Sequence, residues 1–141
     1  ELGRGFINNI IPKPTSALKA VEKVLKLSLS KKITSFSYRI PTTIIGSADM
    51  TIIVKNKISL KMINEEIDKI NKNGKVIMKN LNPLTSLDFI GNEYNCVLDL
   101  RWLKIIRKND IYLIKMILWY DNEYGYSHNL IKIIKKNIIN I

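Results

Sequence analysis

The chain contains the apolar run Ile111-Tyr-Leu-Ile-Lys-Met-Ile-Leu118, followed without a break by Trp119-Tyr-Asp-Asn-Glu-Tyr-Gly-Tyr-Ser127. The first run is short and apolar, with few helix or strand breakers, a pattern typical of a buried β-strand. After the second run, apolar residues recur near helical spacing. They are Leu130, Ile131, Ile133, Ile134 and Ile138. The sequence therefore predicts a strand that passes into a helix through a short polar turn.

This strand-to-helix junction has two interpretations. Asp121 or Asn122 can cap the helix, because their side chains accept hydrogen bonds from the free N–H groups of a first turn. The same polar side chains and N–H groups can instead hold a ligand, as loops at the ends of strands often do. The residue types alone favour the capped turn, since Asn and Asp are common in turns whether or not they bind anything.

The rest of the chain predicts about six strands and three helices. The predicted helices cover 16–27, 59–71 and the segment after the junction, and the predicted strands cover 33–40, 48–55, 75–79, 94–99, 103–106 and 111–118. The last two strands are predicted to form an antiparallel hairpin over the turn 107–110. Ser59 is predicted to cap the second helix and Asn73-Gly74 to end it, and Gly46 is predicted to permit a bend just before the second strand. Residues 1–14 are predicted to be irregular, since they contain two prolines. Because strands and helices do not alternate as βαβ units, we expect an α+β fold with a mostly antiparallel sheet and helices on one face. No glycine-rich dinucleotide fingerprint occurs in the sequence.

Two places in the first third of the chain could bind an anion. Thr15 and Ser16 begin a predicted helix, whose free N–H groups and hydroxyls suit a phosphate oxygen. Simple helix capping is the alternative. Arg39 lies on the polar side of the predicted strand 33–40, opposite Phe36 and Tyr38, and its planar guanidinium suits a phosphate or carboxylate. An ordinary surface arginine is the alternative there.

Composition restricts the classes of partner. The chain has 141 residues, 46% of them hydrophobic, and a net charge of +11 from 23 basic and 12 acidic residues. Such a charge can indicate nucleic-acid binding. The basic residues are mostly lysines scattered among Ile and Asn, however, which A/T-rich codons also produce. We therefore expect no specific nucleic-acid partner and keep a basic binding or structural module as an alternative.

Cys96 is the only cysteine, so an internal disulfide is impossible and a reducing, cytoplasmic location is expected. No signal peptide is visible, and no apolar run approaches the ~20 residues of a membrane span. Nothing near Cys96 in the sequence would activate its thiol, so we predict an inert core cysteine. The lone His128 is predicted to lie at the surface, and Trp102 to pack on the sheet. Because the chain begins at Glu1 without Met, we interpret residues 1–141 as a fragment or a processed product.

Four segments together resemble the glyceraldehyde-3-phosphate dehydrogenase family. The junction 119–127 is similar to the segment near the family's C-terminus. Asn9-Ile-Ile-Pro12 with Thr15 and Ala17-Leu-Lys-Ala-Val21 resembles its loop and helix after the catalytic histidine region. Tyr38-Arg-Ile-Pro-Thr42 resembles the arginine-valine-proline-threonine segment, and Thr85-Ser-Leu-Asp-Phe-Ile-Gly91 the serine-aspartate-phenylalanine segment. The four segments occur in the family's order and span nearly the whole chain.

The resemblance implies a phosphorylating aldehyde dehydrogenase of glycolysis, in which hydride passes to NAD, with NADP not excluded. It implies that Arg39, Thr15 and the Ser16 N–H hold phosphates of the phosphorylated aldehyde and of inorganic phosphate, and that Asn122 binds the nicotinamide carboxamide with Tyr126 nearby. The resemblance implies that residues 1–141 are a fragment of a single catalytic domain, without the family's N-terminal NAD-binding Rossmann domain. The family's catalytic cysteine and histidine match no residue of this chain. The family also implies a homotetramer. An erythrose-4-phosphate dehydrogenase, which shares the motifs, is the alternative of the same fold.

The sequence departs from the family at three positions of the phosphate site. Leu2 stands where the family has a phosphate-binding arginine, and Ser16 stands where it usually has glycine. Lys13 replaces a small hydroxyl residue. Our hypothesis is that the charge of Lys13 compensates for the missing arginine.

Overall fold

The computed structural model describes residue 5 and residues 7–28, 31–72 and 74–138. The chain divides into two compact units, Glu1–Thr43 and Ile44–Ile141, which we call unit 1 and unit 2.

Unit 1 contains a two-stranded antiparallel ribbon and one helix. The strands are β1 (Ile11–Lys13) and β2 (Ser37–Arg39), and the helix α1 covers Ala17–Leu25. In the ribbon, Ile11 lies opposite Arg39 and Lys13 lies opposite Ser37. The prediction of an irregular lead-in was therefore wrong for β1, and the predicted strand 33–40 is only three residues long. The ribbon forms where a second strand, remote in sequence, supplies hydrogen-bond partners.

The predicted burial in unit 1 was also wrong. Phe36 and Tyr38, expected on an inward face, are 64% and 59% exposed. No residue of α1 is buried, and its apolar residues Val21 and Val24 face solvent. A two-stranded ribbon and a nine-residue helix have too little apolar surface to form a core of their own.

Unit 2 is built on a five-stranded sheet. Its strands are β3 (Ile45–Val54), β4 (Ile77–Asn80), β5 (Cys96–Asp99), β6 (Lys104–Lys108) and β7 (Ile111–Asp121). Its helices are α2 (Leu60–Asn71), a 3₁₀ helix (Ser86–Phe89) and α3 (Asn122–Ile138). The order is β3-β7-β5-β4, and β6 also pairs with β7. Among the strands that the structure describes, only β4 and β5 pair parallel. The predicted α+β class, with three helices and a mostly antiparallel sheet, is confirmed for the described residues.

The long strand β7 holds the sheet together, since it pairs with three other strands. Its register with β3 runs over ten residue pairs, from Ile45 opposite Asp121 to Val54 opposite Tyr112. The predicted hairpin is confirmed: β6 and β7 pair antiparallel across the turn at Asn109, whose backbone is left-handed. Trp119 lies opposite Val97 of β5.

Two apolar clusters cover the two faces of this sheet. On one face, Ile67 of α2 packs with Leu98, Leu103 and Ile114. The second cluster contains Ile45, Phe89 and Val97, with Trp119 packed against it. Trp102, predicted to pack on the sheet, is instead 55% exposed and follows the end of β5. The tryptophan that packs against an apolar cluster is instead Trp119, in β7.

Helix α2 begins as the sequence predicts. The Ser59 hydroxyl accepts a hydrogen bond from the Met62 N–H at 3.3 Å, which satisfies a free donor of the first turn. Glu65 and Glu66 are exposed and lie near lysines, as expected of a solvated face. Asn73, predicted to end the helix, lies outside the described residues.

Gly46 was predicted to lie just before a strand, but it lies within β3. It faces Tyr120 across the pairing with β7, and a Cβ at this position would lie 2.5 Å from the tyrosine ring. The absence of a side chain at Gly46 therefore lets the Tyr120 ring lie over the strand next to the junction.

Candidate functional site

The strand-to-helix junction is confirmed, and Asp121 is its capping residue. Strand β7 ends at Asp121 and α3 begins at Asn122. One carboxylate oxygen of Asp121, Oδ1, accepts a hydrogen bond from the Tyr124 N–H at 2.9 Å. The other, Oδ2, accepts one from the Gly91 N–H at 3.0 Å. Asp121 is only 5% exposed, so these amides satisfy a carboxylate that water hardly reaches.

Asn122 and Tyr126 lie one helical turn apart at the start of α3. Both side chains are exposed, Tyr126 to 72%. Within the described part of the chain, the Asn122 amide has no hydrogen-bond partner. A cavity of about 210 Å³ opens beside them. It is lined by Asn95, Tyr120, Asp121, Asn122, Gly125, Tyr126 and Asn129. The structure therefore brings the two predicted cofactor residues together at one concave surface.

The floor of this cavity contains residues that sequence reasoning missed. Asn129 donates from Nδ2 to the Gly125 carbonyl at 2.8 Å and to Asn95 Oδ1 at 2.5 Å. Gly125 is buried, and a Cβ there would lie 3.7 Å from the Tyr94 carbonyl oxygen. Gly125 and Asn129 are four residues apart, so helical spacing could have placed them on one face. Asn95 has no comparable local signal.

The buried carboxylate of Asp99 supports the end of β7, next to the junction. Asp99 is fully buried, and its oxygens accept hydrogen bonds from Arg101 Nε at 2.8 Å and Nη2 at 2.6 Å. Trp119 donates from Nε1 to Asp99 at 3.3 Å and stacks on Phe89. Arg101 also donates to the Leu84 carbonyl at 2.8 Å. These contacts fix the strand segment immediately before the junction.

Hydrogen bonding lowers the pKa of both buried carboxyls. The pKa of Asp99 lies below its ordinary value because the Arg101 guanidinium donates to the carboxylate, with a smaller contribution from Trp119. The pKa of Asp121 is lowered by the Gly91, Tyr124 and Glu123 backbone N–H groups, although burial opposes the shift. Both groups are therefore charged at neutral pH, and their hydrogen-bond partners favour the charged form.

The predicted phosphate residues lie in unit 1. Thr15 Oγ1 accepts a hydrogen bond from the Ala17 N–H at 3.2 Å, so Thr15 caps α1. Ser16 has a helical backbone, and its side chain makes no capping hydrogen bond. Arg39 is exposed and lies opposite Ile11, the first residue of β1, whereas Ser37 lies opposite Lys13, the residue nearest the loop into α1. Leu2 lies outside the described residues.

Cys96 and His128 occupy ordinary positions in unit 2. Cys96 is partly buried in β5, and burial raises the pKa of its thiol, which disfavours the reactive thiolate. His128 is partly exposed and stacks against Tyr124 with ring centroids 6.3 Å apart.

Among the described residues, no group of three or more His, Cys, Asp or Glu side chains could hold a metal ion. In the part of the chain that the structure describes, no helix is long and apolar enough to cross a membrane.

The fold and the junction define a class of protein: a mixed α/β domain with a mostly antiparallel sheet whose longest strand delivers polar residues to the start of a helix. Residues 1–122 match the sequence profile of the family described as "Glyceraldehyde 3-phosphate dehydrogenase, C-terminal domain". The chain belongs to this family, as its four motifs had indicated.

Individual relatives agree with the profile. The chain is 33% identical to the testis-specific glyceraldehyde-3-phosphate dehydrogenase of Rattus norvegicus, over 94% of this chain and 30% of the relative. It is 35% identical to glyceraldehyde-3-phosphate dehydrogenase 2 of Agaricus bisporus, over 94% and 39% respectively. It is 35% identical to the Phytophthora infestans glyceraldehyde-3-phosphate dehydrogenase, over 98% and 41%. The chain thus spans between 30% and 41% of the length of these relatives.

We predict that the chain loses stability in acid through Asp99 and Asp121. Because their folded-state pKa values are lowered, both carboxyls contribute stability above the ordinary value of 3.8, and this contribution is lost as the pH falls through the folded-state values. Urea unfolding from neutral pH to about pH 2 measures the loss. Asp99→Asn should lower the free energy of unfolding at pH 7 by about 2 kcal/mol and flatten its pH dependence. The control Asp110→Asn changes an exposed carboxyl and should do neither; equal profiles for the two variants would contradict the prediction.

Proposed function

We propose that this chain supplies the nicotinamide and phosphate contacts of a phosphorylating glyceraldehyde-3-phosphate dehydrogenase, the glycolytic enzyme that oxidises an aldehyde with hydride transfer to NAD. The observation that carries the proposal is the Asn122 amide, which is exposed and unpartnered among the described residues, beside a cavity at a junction fixed by Asp121. Family membership supports the same function, because the junction lies in a segment shared with the relatives.

The Asn122 side chain suits the carboxamide of a nicotinamide. A primary amide has one acceptor oxygen and two N–H donors, so it can pair with another primary amide through complementary hydrogen bonds. The cavity of about 210 Å³ has room for a single aromatic ring, and Tyr126 borders it. When bound, NAD would supply the hydride acceptor. Asn122 would fix the rotation of the ring and so orient it toward the substrate. The same contacts do not distinguish NAD from NADP.

Arg39, Thr15 and the Ser16 N–H are proposed to hold phosphate groups. Helix α1 has no acidic residue in its first turn, so its N-terminus keeps the positive field that attracts an anion. The Thr15 hydroxyl accepts from Ala17 and can still donate its own proton to a phosphate oxygen. Arg39 adds a permanent positive charge. Lys13, exposed at the end of β1, is proposed to add a second one.

We expect the whole enzyme to be a cytoplasmic homotetramer, as the family implies. Erythrose 4-phosphate is the alternative substrate, since it presents the same aldehyde and phosphate groups to these residues. The net charge of +11 is the one observation that favours an inactive basic module, and the scattered arrangement of the lysines argues against a specific nucleic-acid site.

Replacing Asn122 tests the nicotinamide contact. Asn122→Ala should raise the Kd for NAD at least about fivefold, which corresponds to the loss of roughly one hydrogen bond. Titration followed by NMR suits the weak binding expected of a partial site. Asn64→Ala is the matched control, because it removes an asparagine from another helix, α2, where the Asn64 side chain donates to the Leu60 carbonyl. Equal NAD affinity in wild type and Asn122→Ala would exclude this role.

Phosphate binding should depend on Arg39. Arg39→Met should weaken binding of inorganic phosphate about tenfold or more, since a charge-assisted hydrogen bond contributes about 1.5–3 kcal/mol. Lys13→Met should have a smaller effect in the same direction. Arg107→Met is the control, because Arg107 stacks on Tyr112 in unit 2. If the Arg39 and Arg107 variants bind phosphate equally well, the assignment fails; an unchanged Lys13 variant rejects only compensation by Lys13.

The 141-residue chain by itself is predicted to have no dehydrogenase activity. Its only cysteine is partly buried with a raised thiol pKa, and the resemblance assigns the nucleophile and its histidine to neither Cys96 nor His128. The assay is NAD reduction by purified chain with glyceraldehyde 3-phosphate and inorganic phosphate. NAD reduction that persists in Cys96→Ser would show that another group performs the chemistry, and reduction that disappears in that variant would identify Cys96 as the nucleophile. Either result would contradict the prediction.

A further inference from the structure

We propose that Asp121 is a positioning residue for Asn122: its carboxylate ties the segment Thr85–Gly91 to the first turn of α3 and thereby sets the direction of the Asn122 amide. This inference rests on the proposed function for the identity of the ligand. The physical link itself is independent of any ligand.

Asp121 contacts three separate parts of the chain through its backbone and its carboxylate. Its backbone pairs with Ile45 in β3. Its two carboxylate oxygens accept from Tyr124, three residues ahead, and from Gly91, thirty residues behind. Among the described residues no lysine or arginine forms an ion pair with it. The carboxylate is therefore committed to two backbone amides that belong to separate segments.

The segment Thr85–Gly91 is itself held by a capping box and by a buried aromatic contact. Asp88 and Thr85 form a capping box, in which Asp88 accepts from the Thr85 N–H at 2.7 Å. Phe89 is 1% exposed and stacks on Trp119, with ring centroids 6.0 Å apart. Gly91 then adopts φ +74, a left-handed conformation that favours glycine, and its N–H donates to Asp121. The position of this segment is thus transmitted to the start of α3 through one hydrogen bond.

Asn122 depends on this arrangement because its own side chain is unsupported. It follows Asp121 directly and is the first residue of α3. A hydrogen bond weakens steeply when the donor angle or distance departs from its optimum. A small rotation of the first helical turn would therefore reduce binding of a carboxamide. The apolar cores of unit 2 do not include Asp121, so the fold can survive such a rotation.

Asp121→Asn separates this role from general stabilisation. The variant keeps the side-chain size and one acceptor oxygen, while its NH₂ group cannot accept from a backbone N–H. It can therefore keep the α3 cap or the Gly91 contact, but not both. Asp68→Asn is the matched control, because it also replaces an aspartate of unit 2 that accepts a hydrogen bond, here from Lys79, but lies in α2, which contributes no residue to the cavity beside Asn122.

The experiment is an NMR titration of the whole chain with nicotinamide mononucleotide, at a temperature where circular dichroism shows each variant folded. Asp121→Asn should raise the Kd at least about fivefold, and Asp68→Asn less than about twofold. Equal Kd values for wild type and Asp121→Asn overturn the proposal while leaving the nicotinamide function standing.

A ligand-free measurement keeps the two hypotheses distinct. If the wild-type chain does not bind nicotinamide mononucleotide, the proposed nicotinamide function fails. The positioning role is then tested by ¹⁵N relaxation of Asn122, which measures its mobility without a ligand. Increased mobility of Asn122 in Asp121→Asn, but not in Asp68→Asn, supports the role. Unchanged mobility overturns it.

If Asp121→Asn does not fold, Gly91→Ala replaces it. This change leaves the Asp121 carboxylate in place and strains only the left-handed residue that donates to it. Gly74→Ala is its control, since Gly74 also has a positive φ, at +150, and lies beyond the end of α2. Gly91→Ala should increase the mobility of Asn122 and Gly74→Ala should not. The same mobility in both variants overturns the proposal.

Discussion

The register between β3 and β7 is the constraint on which unit 2 depends. Ten consecutive residue pairs fix which side chains of β7 face each cluster. A slip of one residue would exchange Ile114, which is buried, with Lys115, which pairs with Asp49 at the surface. The same register brings Asp121 opposite Ile45 at the end of the sheet. The place where the strand ends, and hence the place where α3 begins, follows from it.

Features with local causes could be predicted from the sequence. Helix α2 has a serine cap and a regular apolar spacing, and the hairpin of β6 and β7 has a polar turn between two apolar runs, so both were predicted correctly. The junction belongs to this group, since one strand pattern meets one helix pattern with Asp and Asn between them. The sequence placed the junction within residues 119–127, whereas the exact start of α3 at Asn122 follows from the pairing of β7 with β3.

Features that depend on partners remote in sequence could not be predicted. Phe36 and Tyr38 alternate as in a half-buried strand, but the alternation says nothing about whether a second layer is there to cover them. The parallel pairing of β4 with β5 is not visible in either strand alone. Nor does the sequence reveal that Asp99 buries its charge against Arg101 and Trp119, or that Gly91 donates to Asp121 across thirty residues. The resemblance to the family suggested a role for Asn122, whereas only the structure shows which contacts fix the neighbouring residue Asp121.

The charges at the two helix N-termini favour different ligands. At α3, the positive end of the helix is already occupied by the Asp121 carboxylate, and Glu123 adds a second negative charge in the first turn. A phosphate there would meet repulsion, whereas a neutral carboxamide would not. At α1, the first turn has no acidic residue, and Lys13 precedes it. This difference in electrostatics favours the neutral nicotinamide amide at the start of α3 and the phosphate groups at the start of α1, the same division that the family motifs imply.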